Sequence, residues 1–230
     1  MQIMKIAILI PSTSRNRSEW KTLEDSYLFN FFLTFRDTCE PAYEYTFFVG
    51  VDKDDAFYAQ YYDVLEAIPD VRIVPVQVER GYVTHIWNIL AKLAFHEGYD
   101  YMFQCGDDVK FDTPGWVKAC VDVLSVHGNK GVTGPYDRNN TRLLTQTFVH
   151  RTHYEVFNFY FPPEIPNWFC DDWINEVYEK PLSLPVEYTC VNSGGDARYP
   201  IFYCKDLCKQ LVQRDKKVLN NFLVSHEYRR

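Results

Sequence analysis

Tyr101-Met102-Phe103-Gln104-Cys105-Gly106-Asp107-Asp108 decides how the chain is read. Tyr101-Met102-Phe103 is a short apolar run of the kind that makes a buried strand, and Gly106 with two consecutive carboxylates cuts it off. Adjacent carboxylates at a strand end repel each other, so the pair is costly unless a cation shares it. Hard oxygen ligands of this kind suit Mg²⁺ or Mn²⁺, ions that keep positions open for substrate phosphates. An exposed acidic turn is the other reading of the same residues.

Outward from this run, strand and helix signals alternate. Upstream lie a strand over 5–10, a helix over 20–35 with Leu23, Tyr27 and Phe31 four apart, and a strand over 45–51. A helix over 56–67, a strand over 71–78 and a helix over 85–96 complete the upstream part. Downstream the pattern predicts a helix over 116–126 and a strand over 131–134. Such alternation predicts an α/β fold with a mostly parallel central sheet flanked by helices. Ligands in such sheets bind beyond the carboxyl ends of the strands. Polar clusters fall there three times: Ser12 to Arg17, Asp52 to Asp55, and Asp107-Asp108.

After about residue 135 the rhythm changes. A strand-like stretch over 143–160 precedes the proline-punctuated 161–170, and Asp171-Asp172-Trp173-Ile174 opens a helix with acids favourably at its N-terminus. No repeat or linker divides the chain. The expectation is one domain over 1–230, with 1–134 the nucleotide-binding half and 135–230 an acceptor-binding and lid half.

Composition narrows the class. The 230 residues carry 24 Lys+Arg against 31 Asp+Glu, a net charge of -7, which argues against a protein that wraps nucleic acid. No apolar run approaches the roughly 18–20 residues that span a bilayer. The 7 cysteines are odd in number and scattered without a Cys-x-x-Cys pair, so reduced thiols in a cytoplasmic setting are expected. Aromatics reach 17% of the chain, suited either to stacking on bases and sugars or to a thick core.

The order of motifs resembles nucleotide-sugar-dependent glycosyltransferases of the GT-A fold. Ile6 to Arg15 looks like that family's first strand and base-binding loop, and Val49-Gly50-Val51-Asp52 like its second strand. Trp87-Asn88 through to Asp107-Asp108 resembles its helix leading to an Asp-x-Asp metal motif, with Cys105 where the first Asp would fall. Asn167 to Ile174 is similar to the acidic motif supplying the base in inverting members. The form is most like the small soluble glycosyltransferases of large DNA viruses of algae and protists.

The resemblance implies a metal-dependent enzyme moving one sugar from a nucleoside-diphosphate sugar, a UDP-sugar favoured, to a hydroxyl on a glycan or glycoprotein. Pro11, Thr13, Arg15, Asp52, Asn88, Asp107 and Arg198 would meet the nucleotide. Asp107, Asp108 and the C-terminal His226 would hold Mn²⁺ or Mg²⁺, and Asp171 or Asp172, with Asp172 preferred, would act as base. Each has a plainer reading: Thr13 as a cap, Arg15 as a solvated charge, Asp52 as a turn residue, Asn88 as a satisfied buried amide. His150 and His153 would lie on opposite faces of a strand and share no ion. Trp168 and Trp173 would stack on sugar or pack in the core. Competing functions are a non-catalytic nucleotide- or sugar-binding module and a polymerase whose metal hairpin carries Gly106-Asp107-Asp108.

Overall fold

The computed structural model describes residues 3–194 and 198–227. Its strands are β1 (Lys5–Ser12), β2 (Glu44–Asp52), β3 (Val71–Val76), β4 (Tyr101–Gln104), β5 (Val109–Phe111), β6 (Pro135–Asp137), β7 (Thr147–His150) and β8 (Val186–Asn192). The helices are α1 (Tyr27–Thr38), α2 (Ala56–Ala59), α3 (Tyr62–Glu66), α4 (Val83–His96), α5 (Trp116–Val126), α6 (Thr152–Phe157), α7 (Cys170–Leu182) and α8 (Lys205–Glu227).

The main sheet runs β3-β2-β1-β4-β7, parallel except for β7 against β4. The strands are apolar at nearly every position because both faces are covered. In β1, Ile6, Ile8 and Ile10 pack toward the rings of α1 and α5, while Ala7 and Leu9 pack toward α4. Tyr101 and Phe103 of β4 likewise face one way and Met102 the other. At Gly50 of β2 a Cβ would collide with Ile86, so glycine is what lets α4 settle onto the sheet. The parallel sheet with flanking helices is thus the α/β architecture expected from the alternating signals.

Nearly all the aromatic rings belong to these two layers. Phe111 and Trp116 stack 4.6 Å apart, and both meet Phe35 edge-on. Core packing accounts for the aromatic excess, with Trp168 and Tyr203 notable as rings left exposed at 42% and 77%.

A second sheet, β5-β8-β6, branches off just after Asp107-Asp108. Because β4 pairs with β1 and β7 while β5 pairs with β8, the Gly106-Asp107-Asp108 turn is not a polymerase-type hairpin. Pairing of Val109 with Asn192 brings the chain after β8 back against the acid pair.

Several boundaries differ from expectation. The helix expected from residue 20 begins at Tyr27, where the Ser26 hydroxyl accepts the Phe29 N–H at 3.2 Å. The helix expected over 56–67 is two short ones, and 131–134 contributes isolated bridges from Val132 and Thr133 rather than a strand. The stretch 143–160 holds only β7 before turning into α6, which carries His153 into the core. Among the described residues, no helix is long and apolar enough to cross a membrane, and all seven cysteines are free.

Candidate active site

Four strand ends converge on one rim. β1 delivers Ser12 and the loop behind it, β2 ends in Asp52, β3 runs into Gln77 to Gly81, and β4 delivers Asp107. Asp107 is fully buried. Ser12 donates to its Oδ2 at 2.6 Å, and since that uses the single Ser12 proton, Tyr58 OH donates to Ser12 Oγ at 2.6 Å. Arg198 closes the other side: Nη1 donates to Asp107 Oδ2 at 2.9 Å, Nη2 to Oδ1, and Nη1 also to the Thr13 carbonyl at 3.1 Å.

Asp108 is hemmed in differently. A Cβ at Gly194 would collide with its Oδ2, and one at Gly106 would stand 2.5 Å from Oδ1. Arg198 Nη2 lies 3.6 Å from Oδ2. Burial, reinforced by the neighbouring Asp107 charge, pushes the Asp108 carboxyl up to about 6. Arg17, whose Nη2 donates to the Gly194 carbonyl at 2.9 Å, shares the Tyr27 ring with Arg198, the two guanidinium carbons 5.2 and 5.5 Å from its centroid.

Two cavities flank this knot. The first, 610 Å³, is walled by Pro11, Thr13, Arg15, Asp52, Arg80 and Tyr82 among others. Arg15 bridges two acids there, Nε 3.2 Å from Asp52 and Nη2 2.7 Å from Asp54, which raises the guanidinium's own proton affinity. The Thr13 hydroxyl is spent on Asp55 at 3.2 Å, the acid that caps α2. The second cavity, 470 Å³, is lined by Asp107, Asp108, Arg142, Trp168, Asp171 and Tyr203 among others. Pro11, Val83, Arg198 and Tyr199 line both, so the cavities meet at the arginine that is bonded to Asp107.

The two acids opening α7 differ sharply. Arg142 Nη1 holds Asp172 at 2.7 Å. Asp171 takes no cation, and burial followed by the Asp172 charge pushes its carboxyl up to about 6. Among the described residues Asp172 is thus engaged by a guanidinium, whereas Asp171 accepts the Asp172 N–H at 3.0 Å and pairs with no Lys or Arg side chain.

Asn88 does not reach either cavity. Its Oδ1 accepts the N–H groups of Tyr160 and Phe161 at 2.8 and 2.9 Å, and its Nδ2 donates to the Phe161 carbonyl at 2.8 Å. It is the satisfied amide, stapling 160–161 to α4. His153 is also structural: the Tyr160 carbonyl takes its Nε2–H at 2.9 Å, so Nδ1 accepts from Tyr178 OH at 3.0 Å, and burial lowers its pKa to about 4.

The acid pair does not fit a divalent cation in this arrangement. Three hydrogen bonds already engage both oxygens of Asp107, two of them from a guanidinium, and Asp108 stands against two glycine backbones. Among the described residues no three His, Cys, Asp or Glu side chains gather as ligands. The His226 side chain and Gly195-Asp196-Ala197 lie outside the described residues.

Tyr58 and Arg80 are not singled out in the sequence, while Arg17 and Asn167 enter only as the ends of a polar cluster and of the acidic motif, with no role of their own. Arg80 has a usable signal, since Arg80-Gly81 follows a strand as the other polar clusters do. The partners of Asn167 have none. Almost fully buried, Asn167 donates through Nδ2 to the carbonyls of Gly81 and Pro200 at 2.7 and 2.8 Å, while Oδ1 accepts from Phe202 N–H at 3.1 Å. One amide thus ties the β3–α4 loop, the residues after Arg198 and the start of α7 together.

A buried acid at the carboxyl edge of a parallel sheet, between two joined cavities, belongs to the Rossmann-like class of ligand-binding α/β folds. Within that class the fold is shared with S. aureus TarS. S. aureus TarS residues 1–349 in complex with UDP-GlcNAc superposes with a TM-score of 0.66 at 12% identity, over 92% of this chain and 66% of that one. The same fragment in complex with UDP gives 0.60 at 13% identity, over 92% and 65%. Against S. aureus TarS as a longer chain the values are 0.54 and 13%, over 96% and 43%. This chain thus spans just under two thirds of the TarS fragment. It matches no protein-family model and no curated protein sequence.

Proposed function

We propose that the protein transfers a single sugar from a nucleoside-diphosphate sugar, a UDP-sugar, to a hydroxyl of a glycan or glycoprotein, with inversion. The observation that carries this reading is the junction of the two cavities at Arg198, which is bonded to Asp107, on a fold shared with a protein solved holding UDP-GlcNAc. The nucleoside occupies the 610 Å³ cavity, where Asp52, although bridged to Arg15, accepts the imide N–H of the base. The diphosphate lies along the wall that both cavities share, with Arg198 and Arg80 offsetting its charge. The sugar then points into the 470 Å³ cavity, toward Asp171.

Chemistry follows from what stands there. Asp171 takes the acceptor hydroxyl's proton as that oxygen bonds to the anomeric carbon, and the bond from that carbon to the diphosphate oxygen breaks, releasing the nucleotide. A carboxyl with a pKa of about 6 is ionised at neutral pH yet is a stronger base than an ordinary aspartate. Attack from the face opposite the diphosphate inverts the anomeric centre. Asp172, bonded to Arg142, stands beside it, where a carboxylate favours the oxocarbenium-like transition state. Trp168 and Tyr203 offer ring faces at the cavity mouth for the acceptor sugar.

Calorimetric titration of UDP and GDP, followed by a UDP-sugar hydrolysis and transfer panel on wild type and Asp171→Asn, tests the reading. Binding of UDP with turnover abolished in Asp171→Asn supports it. Failure of both nucleotides to bind overturns it, and UDP binding with no turnover of any donor leaves a binding module.

A further inference from the structure

We infer that the Arg198 guanidinium does in this chain what a divalent cation would do, so that a nucleoside diphosphate binds without metal. The inference rests on the donor-site reading above. A cation at an acid pair would cancel the repulsion between the carboxylates and an incoming diphosphate, and it would put positive charge beside the leaving group. Arg198 already stands in both positions. Its two Nη groups bond the two oxygens of fully buried Asp107, and Nη2 also lies 3.6 Å from Asp108. Its side chain is a wall of both cavities, at the point where the diphosphate passes between them.

The rest of the knot holds it there. Ser12 fills a further acceptor position on Asp107, and the Thr13 carbonyl takes the second hydrogen of Nη1. Tyr27 lies under the guanidinium, with Arg17 beside it on the same ring. Arg198 therefore faces both carboxylates, and Arg17, whose own carboxylate neighbour is Glu19 at 3.9 Å, stands close enough to add positive potential at Asp108. An ion entering would have to break a bidentate pair and leave a buried guanidinium without its counter-charge.

The experiment is calorimetric titration of UDP into the full chain in EDTA and in Mn²⁺, with a parallel titration of Mn²⁺ alone, on wild type, Arg198→Lys and Arg198→Ala. Wild type is expected to bind UDP with affinities agreeing within about twofold in the two conditions, and Mn²⁺ alone only weakly. Arg198→Ala should lose roughly tenfold or more in EDTA and recover part of it in Mn²⁺, which then reaches the uncovered acids. Arg198→Lys keeps the charge without the fork and should fall between the two. A wild-type affinity that drops about tenfold on chelation overturns the inference while leaving the donor site intact. Nucleotide binding in neither condition sinks the donor site itself. The wild-type comparison needs no variant, so misfolding of Arg198→Ala leaves the question decidable.

Discussion

The two halves of the molecule share apolar packing but place their loops differently. Residues 1–134 form a sheet whose strands meet helices through apolar side chains, with the polar residues pushed to the strand ends. The remainder also buries apolar side chains such as Phe157, Phe161, Trp173 and Ile174, and adds buried or half-buried polar side chains that grip backbone: Asn88 on 160–161, His153 on Tyr160, Asn167 on Gly81 and Pro200, Asn175 on Leu144. Even the core indole of Trp173 donates to a buried carboxylate, Asp215, at 3.0 Å. Apolar contacts tolerate exchange of one hydrocarbon for another, whereas a buried amide with several partners admits almost no substitute. The first half is a forgiving platform, and the second places its loops by a few exact bonds.

The sharpest way to break this contrast is at α7. Asp171→Asn should lower the transfer rate by about 10²–10⁴-fold with UDP affinity unchanged, read by steady-state kinetics beside calorimetry. The same variant should be more stable than wild type by about 1–2 kcal/mol at pH 7.5, because it removes a carboxylate whose ionised form the fold disfavours. A folded-state pKa raised to about 6 implies that the difference shrinks as the pH falls below 6 and vanishes only at about pH 3.5, below the pKa of about 3.9 that the carboxyl has in the unfolded chain. Urea midpoints at the two pH values measure it.

Next is the amide hub. Asn167→Ala should cost about 3 kcal/mol and weaken UDP binding as well, since Gly81 and Pro200 lose their common anchor. Ile8→Val on the platform should cost about 1 kcal/mol and leave UDP binding untouched. Equal effects from the two would erase the distinction.

Acid should expose the third difference. Transfer is expected to fall about tenfold per pH unit below about 6 as Asp171 takes up a proton, more steeply if Asp108 titrates with it. Over the same window these two groups stabilise the fold as the pH drops and withdraw that stability as it rises through 6. The smallest effect is at the rim: Trp168→Ala should raise the acceptor KM about 2–10-fold while the melting temperature and UDP affinity stay put.

The contrast also explains what could be read from the chain. Alternating strands and helices, with acids and hydroxyls after each strand, announced the sheet and placed Thr13, Arg15 and Asp52 along one cavity. The rest depended on partners far away in sequence. Nothing near Asp172 reveals that Arg142 will claim it, or that Arg198 will fold back onto Asp107. Asn88 looked available because its partners lie more than seventy residues on. The stretch 143–160 read as a strand on its β-branched start, although Tyr154, Phe157 and Tyr160 already recur at helical spacing and are buried.

The wall shared by the two cavities carries a kinetic consequence. Arg198 and Tyr199 border donor and acceptor at once, so neither can be seated without setting the surface the other meets. For the proposed transfer this favours a compulsory order, in which the nucleotide sugar enters first and the spent nucleotide departs last. Steady-state double-reciprocal plots would then intersect, and the nucleotide product would compete with the donor but not with the acceptor.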